Sequence, residues 1–423
     1  MKHEISKLSN GLQVVAAPLK ERRSVAVGIW VHIGGRDEEP RLNGVSHFLE
    51  HLVFKGTTSR TANQIKEAVE GRGGSLNAFT SEEYTCFLAK ASSKHFESVF
   101  DVLSDMVLNA SLKKEDIDKE RTVVMEEIKM TQDQPSQLVE EFLSEILWPT
   151  HPLGRPLTGT LETVGSMSQA DIKHYKESHY HPASITVAAA GDIDQKALIK
   201  AAESRFGASR SGASKKTSLF QRQVSPQAPK VFNKATEQTH LALGVHTFPK
   251  EHPDEYVLDV LSVLLGGNMS SRLFNEVREE RGLAYDIGSS IRKYHETGAF
   301  VVSAGVDNVK FKEAVEVILS ELQKITKELV GPEELLRAKE FYTGQLDLGL
   351  ENTMNNMLWV GENVVTLGRT RSLKEIYDAV ERVTAEDLRR VAKSMFASPS
   401  YHLSVVGPVP EKAEKDLARL LAL

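Results

Sequence analysis

The sequence predicts an α+β protein made of two homologous α/β-roll halves, each an antiparallel β-sheet flanked by helices, joined by a linker. Three observations predict it. The chain has 423 residues, more than one ordinary domain carries. A stretch rich in Gly, Ser and Lys and poor in apolar residues, Gly207 to Lys230, divides it near the middle. Motifs on the two sides recur in the same order, which marks a duplication far longer than a solenoid unit. The halves so defined are residues 1–206 and 231–423, with 207–230 as the linker.

The elements follow from local pattern. Apolar positions alternate around Asn10-Gly11, and Asn-Gly supplies the positive φ angles of a two-residue primed turn, so the chain opens with a hairpin. The apolar run Ala26 to His32 reads as a strand and matches Leu241 to His246. Lys94 to Leu108 and Lys310 to Ile325 both carry the helical apolar period. Lys114-Glu115-Asp116-Ile117 and Pro332-Glu333-Glu334-Leu335 each open a further helix, with acids in the first turn where the helix dipole favours them. Ser168 to Ile172 followed by the strand Thr186 to Gly191 matches Thr384 to Leu388 followed by His402 to Gly407. Hairpins mixed with amphipathic helices, rather than alternating βαβ units, give the α+β class.

Composition excludes several functions. With 40% hydrophobic and 26% charged residues the chain is globular, and no run approaches the 18 apolar residues of a membrane span, so no membrane partner is expected. Its 58 acidic against 52 basic residues leave a net charge of −6, the wrong sign for a nucleic-acid binder. Gly71 to Gly74 lacks the Lys-Ser/Thr of a phosphate loop. No basic leader with an apolar core is visible, so the expected address is cytoplasmic, or an organelle matrix after removal of a transit peptide. The single cysteine, Cys86, cannot form an internal disulfide and removes every Cys-based zinc motif. Any metal must be held by His, Asp or Glu.

Residues Val45 to Thr57 read VSHFLEHLVFKGT. His47 and His51 are four apart and share one face of a helix, with Glu50 about one turn from His47. Two neutral imidazoles can hold one zinc while a carboxylate reaches a water on it. Chance gives about 0.06 such His-x-x-Glu-His patterns in a chain of this composition even with Asp allowed in place of Glu, so context has to decide. A catalytic zinc wants three protein ligands and an open position. The segment Asp116 to Met130 offers Glu120, Glu126 and Glu127 on one helix. Glu120 and Glu127 are seven apart and nearly in phase, whereas Glu126 points about 100° away. Two stacked carboxylates fit one ligand and one residue that orients a histidine.

HFLEHLVFKGT, with Glu127 in VVMEEIKM, resembles the inverted-motif zinc metallopeptidases, the family of pitrilysin, insulin-degrading enzyme and mitochondrial processing peptidase. Gly73 to Ser81 resembles that family's active-site edge strand, His151-Pro152-Leu153-Gly154 with Gly159-Thr160 its loop after the ligand helix, and Arg278 with Tyr285 its second-half Arg/Tyr pair. The chain length resembles the processing-peptidase-like subgroup with one pair of repeats. The resemblance implies one Zn2+ per chain on His47, His51 and Glu127, Glu50 as general base and Glu120 as a supporting carboxylate. It also implies that Asn77, Ala78 and Phe79 bind an extended peptide by strand addition. Aligning the halves puts Leu261, Leu264 and Leu265 opposite His47, Glu50 and His51, and Gln345 opposite Glu127. The second half therefore cannot hold the metal, and it carries Arg278 and Tyr285, which in the family touch the substrate near the scissile bond. A closed chamber takes four repeats in the family, which implies a homodimer.

The expected activity is that of a zinc-dependent endopeptidase cleaving unfolded peptides or presequence-like segments. Between Ser111 and Glu162 stand 11 acidic and 6 basic residues, an excess expected beside the metal and suited to basic peptides, although a solvated helix face explains it equally. The alternative is a non-catalytic scaffold or partner subunit of the same fold, or one half of a hetero-oligomeric peptidase.

Overall fold

A computed structural model describes residues 3–209, 219–220, 228–396, 401–410 and 412–422. The linker expected over 207–230 falls mostly on 210–218 and 221–227, outside the described residues. The first half runs β1 (Ile5–Lys7), β2 (Gln13–Pro18), β3 (Ser24–Val31), α1 (Val45–Val53), α2 (Ala62–Val69), β4 (Ser75–Thr80), β5 (Thr85–Ser92), α3 (Phe96–Asn109), α4 (Lys114–Asp133), α5 (Pro135–Leu147), α6 (Leu161–Ser166), α7 (Gln169–His179), β6 (Ile185–Gly191) and α8 (Gln195–Phe206). The second runs β7 (Lys230–Asn233), β8 (Thr239–Thr247), α9 (Glu255–Gly266), β9 (Ala284–Lys293), β10 (Gly298–Val306), α10 (Phe311–Lys327), α11 (Pro332–Leu350), α12 (Thr353–Leu367), α13 (Leu373–Glu381), α14 (Ala385–Phe396), β11 (His402–Gly407) and α15 (Ala413–Leu421).

The duplication is visible in topology. One sheet has the order β1-β2-β6-β3-β5-β4 and the other β7-β11-β8-β10-β9, identical once β1 is set aside. Even the caps repeat: Ser168 Oγ accepts from Asp171 N–H as α7 begins, and Thr384 Oγ1 accepts from Asp387 N–H before α14. The sheets are not wholly antiparallel as expected. β2 with β6, and β11 with β7, pair parallel, because β6 and β11 return only after a long helical excursion and enter beside a strand of the same direction. The opening hairpin also differs from expectation. Gly11 N–H donates to Leu8 O at 2.9 Å and Leu8 N–H to Leu12 O at 2.9 Å, so residues 9–11 make a three-residue loop in which Gly11 takes the positive φ of 95°. Asn10 instead ties the loop down through its side chain, donating to Phe206 O and accepting from Leu12 N–H.

The compact units do not follow the linear boundaries 1–206 and 231–423. One unit is Met1–Lys129, Arg155–Ser218 and Asp347–Leu373; the other is Met130–Gly154, Leu219–Leu346 and Lys374–Leu423. The equivalent helices α5 and α12 are exchanged. In the first unit Val25, Val27, Ile29 and Val31 of β3 pack with Phe48, Leu49 and Leu52 of α1 and Phe100 of α3. The alternate residues Ala26 and Trp30 face the other way and are covered by Met357, Val360 and Val364 of α12. A Cβ on Gly361 would lie 2.3 Å from Trp30 Nε1, so only glycine lets α12 approach this closely. In the second unit Leu138, Val139, Leu143 and Leu147 of α5 cover Ala242, Ala299, Val301 and Val406. A sheet apolar on both faces needs two layers over it, and in each unit one layer comes from the other half of the sequence.

Candidate metal centre and active site

α1 buries Val45, Phe48, Leu49, Leu52 and Val53. That apolar stripe leaves His47, Glu50 and His51 together on the half-exposed face. α4 buries Ile117, Glu120, Val124 and Ile128 along one stripe, so Glu120 occupies a position that an apolar residue would normally hold. Glu127 comes two turns later in phase with it. Glu126, as its phase predicted, points out and pairs with Lys129 at 2.7 Å.

His47, His51 and Glu127 form the one cluster of three His, Cys, Asp or Glu donors among the described residues whose ligand atoms all lie within 4.8 Å of one another. His47 Nε2 is 3.7 Å and His51 Nε2 3.6 Å from Glu127 Oε2. Ligands about 2.0–2.1 Å from a tetrahedral zinc stand roughly 3.4 Å apart, so the donor set fits that ion with a shift of a few tenths of an ångström. Two imidazoles and one carboxylate are also the donor types a catalytic zinc takes. Glu120 Oε1 stands 3.0 Å from His51 Nδ1, which places the proton on Nδ1 and leaves the Nε2 lone pair for a metal. Lys55 Nζ holds the other Glu120 oxygen at 2.5 Å.

The environment tunes these groups differently. Burial, helped by the neighbouring His51, lowers the pKa of His47 to about 4, which keeps it neutral as a ligand must be. Burial also pulls His51 down, but the Glu120 hydrogen bond and the charges of Glu127, Glu120 and Glu50 outweigh it and raise its pKa. For Glu120 burial favours the acid, yet its bonds to His51 and Lys55 win and hold it below the usual carboxylate range. Glu50 is raised, first by burial and further by Glu127, against the opposing Thr80 hydrogen bond and His51.

The strand containing Asn77, Ala78 and Phe79 is β4, at the edge of its sheet and paired, among the described residues, only with β5. Leu76 and Ala78 face the cluster that contains α1, while Phe79 turns the other way, edge-on to Trp30 with ring centroids 5.8 Å apart. On the α1 side, Thr80 Oγ1 donates to Glu50 Oε2 at 2.7 Å. Sequence reasoning placed Thr80 only in the peptide-binding strand, not on Glu50, and did not single out Lys55. Strand alternation from Ala78 and the four-residue step from His51 were signals that could have found both.

In the second unit Leu261, Leu264 and Leu265 are buried in α9. Arg278 and Tyr285 meet there. Arg278 lies in a π-helical turn, Phe274–Glu280, with its guanidinium carbon 4.6 Å from the Phe274 ring centre and 5.7 Å from that of Tyr285. The pairing of β10 with β9 shifts register between Gly305 and Val306, which skips Tyr285 and turns it outward, 75% exposed. Both side chains line a cleft of about 380 Å³ together with His240, Asp286 and Ser303. The regular pairing of β4 with β5 has no such irregularity.

The acidic excess between Ser111 and Glu162 does not belong to the metal-bearing unit as expected. Four of its acids, Asp133, Glu140, Glu141 and Glu145, fall in the exchanged segment Met130–Gly154. There Glu140 pairs with Arg292, Glu145 with Lys230 and Asp133 with Lys234. The remaining seven acids of that window face six bases in the first unit, close to neutral.

Comparison with known proteins gives the family. Residues 13–161 match the family described as Insulinase (Peptidase family M16), and residues 166–342 match the Peptidase M16 inactive domain. An uncharacterized zinc protease of Bacillus subtilis is 37% identical over 399 residues, covering 94% of this chain and 97% of the relative. One of Streptomyces coelicolor is 35% identical over 416 residues, 96% of this chain and 89% of the relative. The crystal structure of a protease from Helicobacter pylori superposes with a TM-score of 0.90 at 26% identity, covering 96% of this chain and 100% of that one. The chain belongs to the insulinase family, peptidase family M16.

Proposed function

We propose that the chain is a zinc-dependent endopeptidase, with one Zn2+ held by His47, His51 and Glu127. The observation that carries the reading is the convergence of those three donors close to Glu50, a carboxylate that accepts a hydrogen bond from Thr80 Oγ1. A bound zinc supplies Lewis-acid activation of a water and of the scissile carbonyl. Glu50 takes the proton of the attacking water and passes it to the leaving amine, and its raised pKa makes it a better acceptor for that proton than an ordinary carboxylate. Glu120 holds His51 in the ligating tautomer. The unpaired edge of β4 at Asn77, Ala78 and Phe79 takes an extended peptide as a further strand, which demands an unfolded substrate and little sequence specificity. Presequence-like segments are one class of such peptides; a preference for basic ones has lost its support in the acidic window. The working assembly is a homodimer enclosing a chamber, in which Arg278 and Tyr285 of one protomer contact the substrate near the scissile bond held at the zinc site of its partner. A reducing compartment, cytoplasm or organelle matrix, suits the buried free Cys86. No helix among the described residues is long and apolar enough to cross a membrane.

The test is to purify the chain alone, measure its zinc by elemental analysis, and follow cleavage of an unfolded peptide by wild type and Glu50→Gln. One zinc per chain with cleavage lost in Glu50→Gln is the expected result. Zinc bound without cleavage by either form refutes the stand-alone peptidase in favour of a scaffold, a partner subunit or a hetero-oligomer. Unchanged cleavage in the variant refutes Glu50 as the base.

A further inference from the structure

Glu38 lies on no motif singled out in the sequence, yet it is among the most buried charged residues of the first unit, 3% exposed. Its carboxylate accepts from Gly44 N–H at 2.7 Å, from Ser46 N–H at 2.8 Å and from Asn43 Nδ2 at 3.1 Å. Gly44 is the N-cap of α1 and Ser46 stands in its first turn, immediately before His47. The first amides of a helix have no partner within it, and here one carboxylate serves two of them, as the positive end of the helix dipole favours.

The same short segment is fastened to the other side of the site. Gly35 N–H donates to Ser81 O and Arg36 N–H to Glu82 O, while Arg36 Nη1 pairs with Glu83 at 2.5 Å. Residues 81–83 follow directly on Thr80, the residue bonded to Glu50. A Cβ on Gly34 would lie 2.4 Å from Ser81 O, so the two segments are in direct backbone contact. Behind them, Arg155 Nη1 donates to Glu38 O and Asn43 Nδ2 to Pro156 O, and a Cβ on Gly44 would meet Thr158 O at 2.6 Å. Segment 34–38 therefore bridges the start of the ligand helix and the end of the edge strand.

We propose that Glu38 is a positioning residue for the metal centre: by holding the first turn of α1 against the turn after β4, it sets where the His47 and His51 imidazoles stand relative to Glu127. The proposal rests on the zinc reading of that cluster. α1 has only nine residues, so a tilt of its first turn is carried directly into His47 one residue on. A glutamine at 38 would turn an NH2 toward one of the two amides and lose that acceptor.

The test uses the full chain loaded with zinc or with cobalt(II). Zinc affinity is measured by chelator competition, and the visible spectrum of the cobalt form reports ligand geometry. Glu38→Gln is compared with wild type and with Gln195→Ala, which removes bonds to Ala16, Val14 and Ser6 in the same unit away from α1. The expected result is a zinc affinity about tenfold weaker and an altered cobalt spectrum for Glu38→Gln, with both unchanged in Gln195→Ala even where its melting temperature falls as far. If wild type binds no zinc, the zinc reading itself fails. If wild type binds and Glu38→Gln matches it in affinity and spectrum, the role of Glu38 is refuted. Should Glu38→Gln not fold, the shorter Glu38→Asp, which cannot reach both amides, carries the same comparison. If neither folds, Glu38 is a folding determinant and the positioning role is overturned.

Discussion

Glu120 offers the sharpest single perturbation, because it touches His51 and not the three-donor cluster's metal position. Its carboxylate accepts from His51 Nδ1 at 3.0 Å and is held by Lys55 on the other oxygen. A hydrogen bond to an ionised acceptor is worth about 1.5–3 kcal/mol net, one to a neutral amide about 0.5–1.5. Glu120→Gln keeps the shape and a neutral acceptor, so it removes about 1.4 kcal/mol, equivalent to tenfold in zinc affinity. Lys55 is more than a third exposed and regains water, so it adds little to that cost. The pH dependence carries a second signature. His51 has a raised pKa in the wild type, despite burial, because of Glu120 and the neighbouring acids. Protons therefore compete with zinc at a higher pH in wild type than in Glu120→Gln. The tenfold gap should be full near pH 8 and narrow as the pH falls through the raised pKa of His51. Chelator-competition titrations at pH 8 and at pH 6 measure it. Affinities equal within twofold at pH 8, or a gap that widens at pH 6, would refute the orienting role of Glu120.

Other consequences can be checked separately. Thr80→Val removes the hydroxyl that holds Glu50 Oε2, so kcat should fall about tenfold with zinc content unchanged, and Thr80→Ser should restore most of it; a Val variant as active as wild type would remove Thr80 from the site. Gly361→Ala drives a Cβ into the Trp30 indole, a rigid neighbour, and should cost about 1–3 kcal/mol, read as a lower melting temperature; an unchanged melt would mean that α12 does not press on β3. Burial raises the pKa of Glu38 from 4.5 to about 7, against the hydrogen bonds from Ser46, Gly44 and Asn43. The folded state then holds the proton more tightly than the unfolded chain, so this group's contribution is present below pH 4.5 and lost as pH rises through 7, about 3 kcal/mol in all. Denaturant melts of the metal-free chain should show that decline in wild type relative to Glu38→Gln, and parallel profiles would contradict it.

What the sequence made legible was chemistry carried by short-range spacing. His47, Glu50 and His51 share a face because i, i+3 and i+4 always do on a helix, and the seven-residue step from Glu120 to Glu127 carried the same information. What it left hidden depended on partners distant along the chain. The apolar stripes of α5 and α12 say that each helix is buried, but nothing in a stripe says which sheet lies beneath it. The register shift at Tyr285 and the π-turn at Arg278 each alter the local count of residues per repeat, which periodicity averages away. Glu38 reads as an ordinary acid in a loop until Gly44 and Ser46 are found on it.

The helix exchange has a consequence for residues 1–206, the half that carries the complete donor set His47, His51 and Glu127. Without α12, the face of β3 and β6 that includes Trp30, Ala188 and Ala190 has no cover. Trp30 is 1% exposed, and uncovering the roughly 200 Å² of such a side chain costs about 5 kcal/mol at 25 cal/mol per Å². That alone rivals the whole stability of a typical domain, about 5–15 kcal/mol. Residues 1–206 expressed alone should therefore melt without cooperativity, bind dyes that report exposed apolar surface, and hold zinc far more weakly than the full chain, although every ligand is present. Adding residues 347–373 as a separate peptide should restore part of the cooperative transition, whereas a scrambled peptide of the same composition should not. A cooperative melt of 1–206 alone with full zinc affinity would show that the metal half is self-sufficient and that the exchange is dispensable to it.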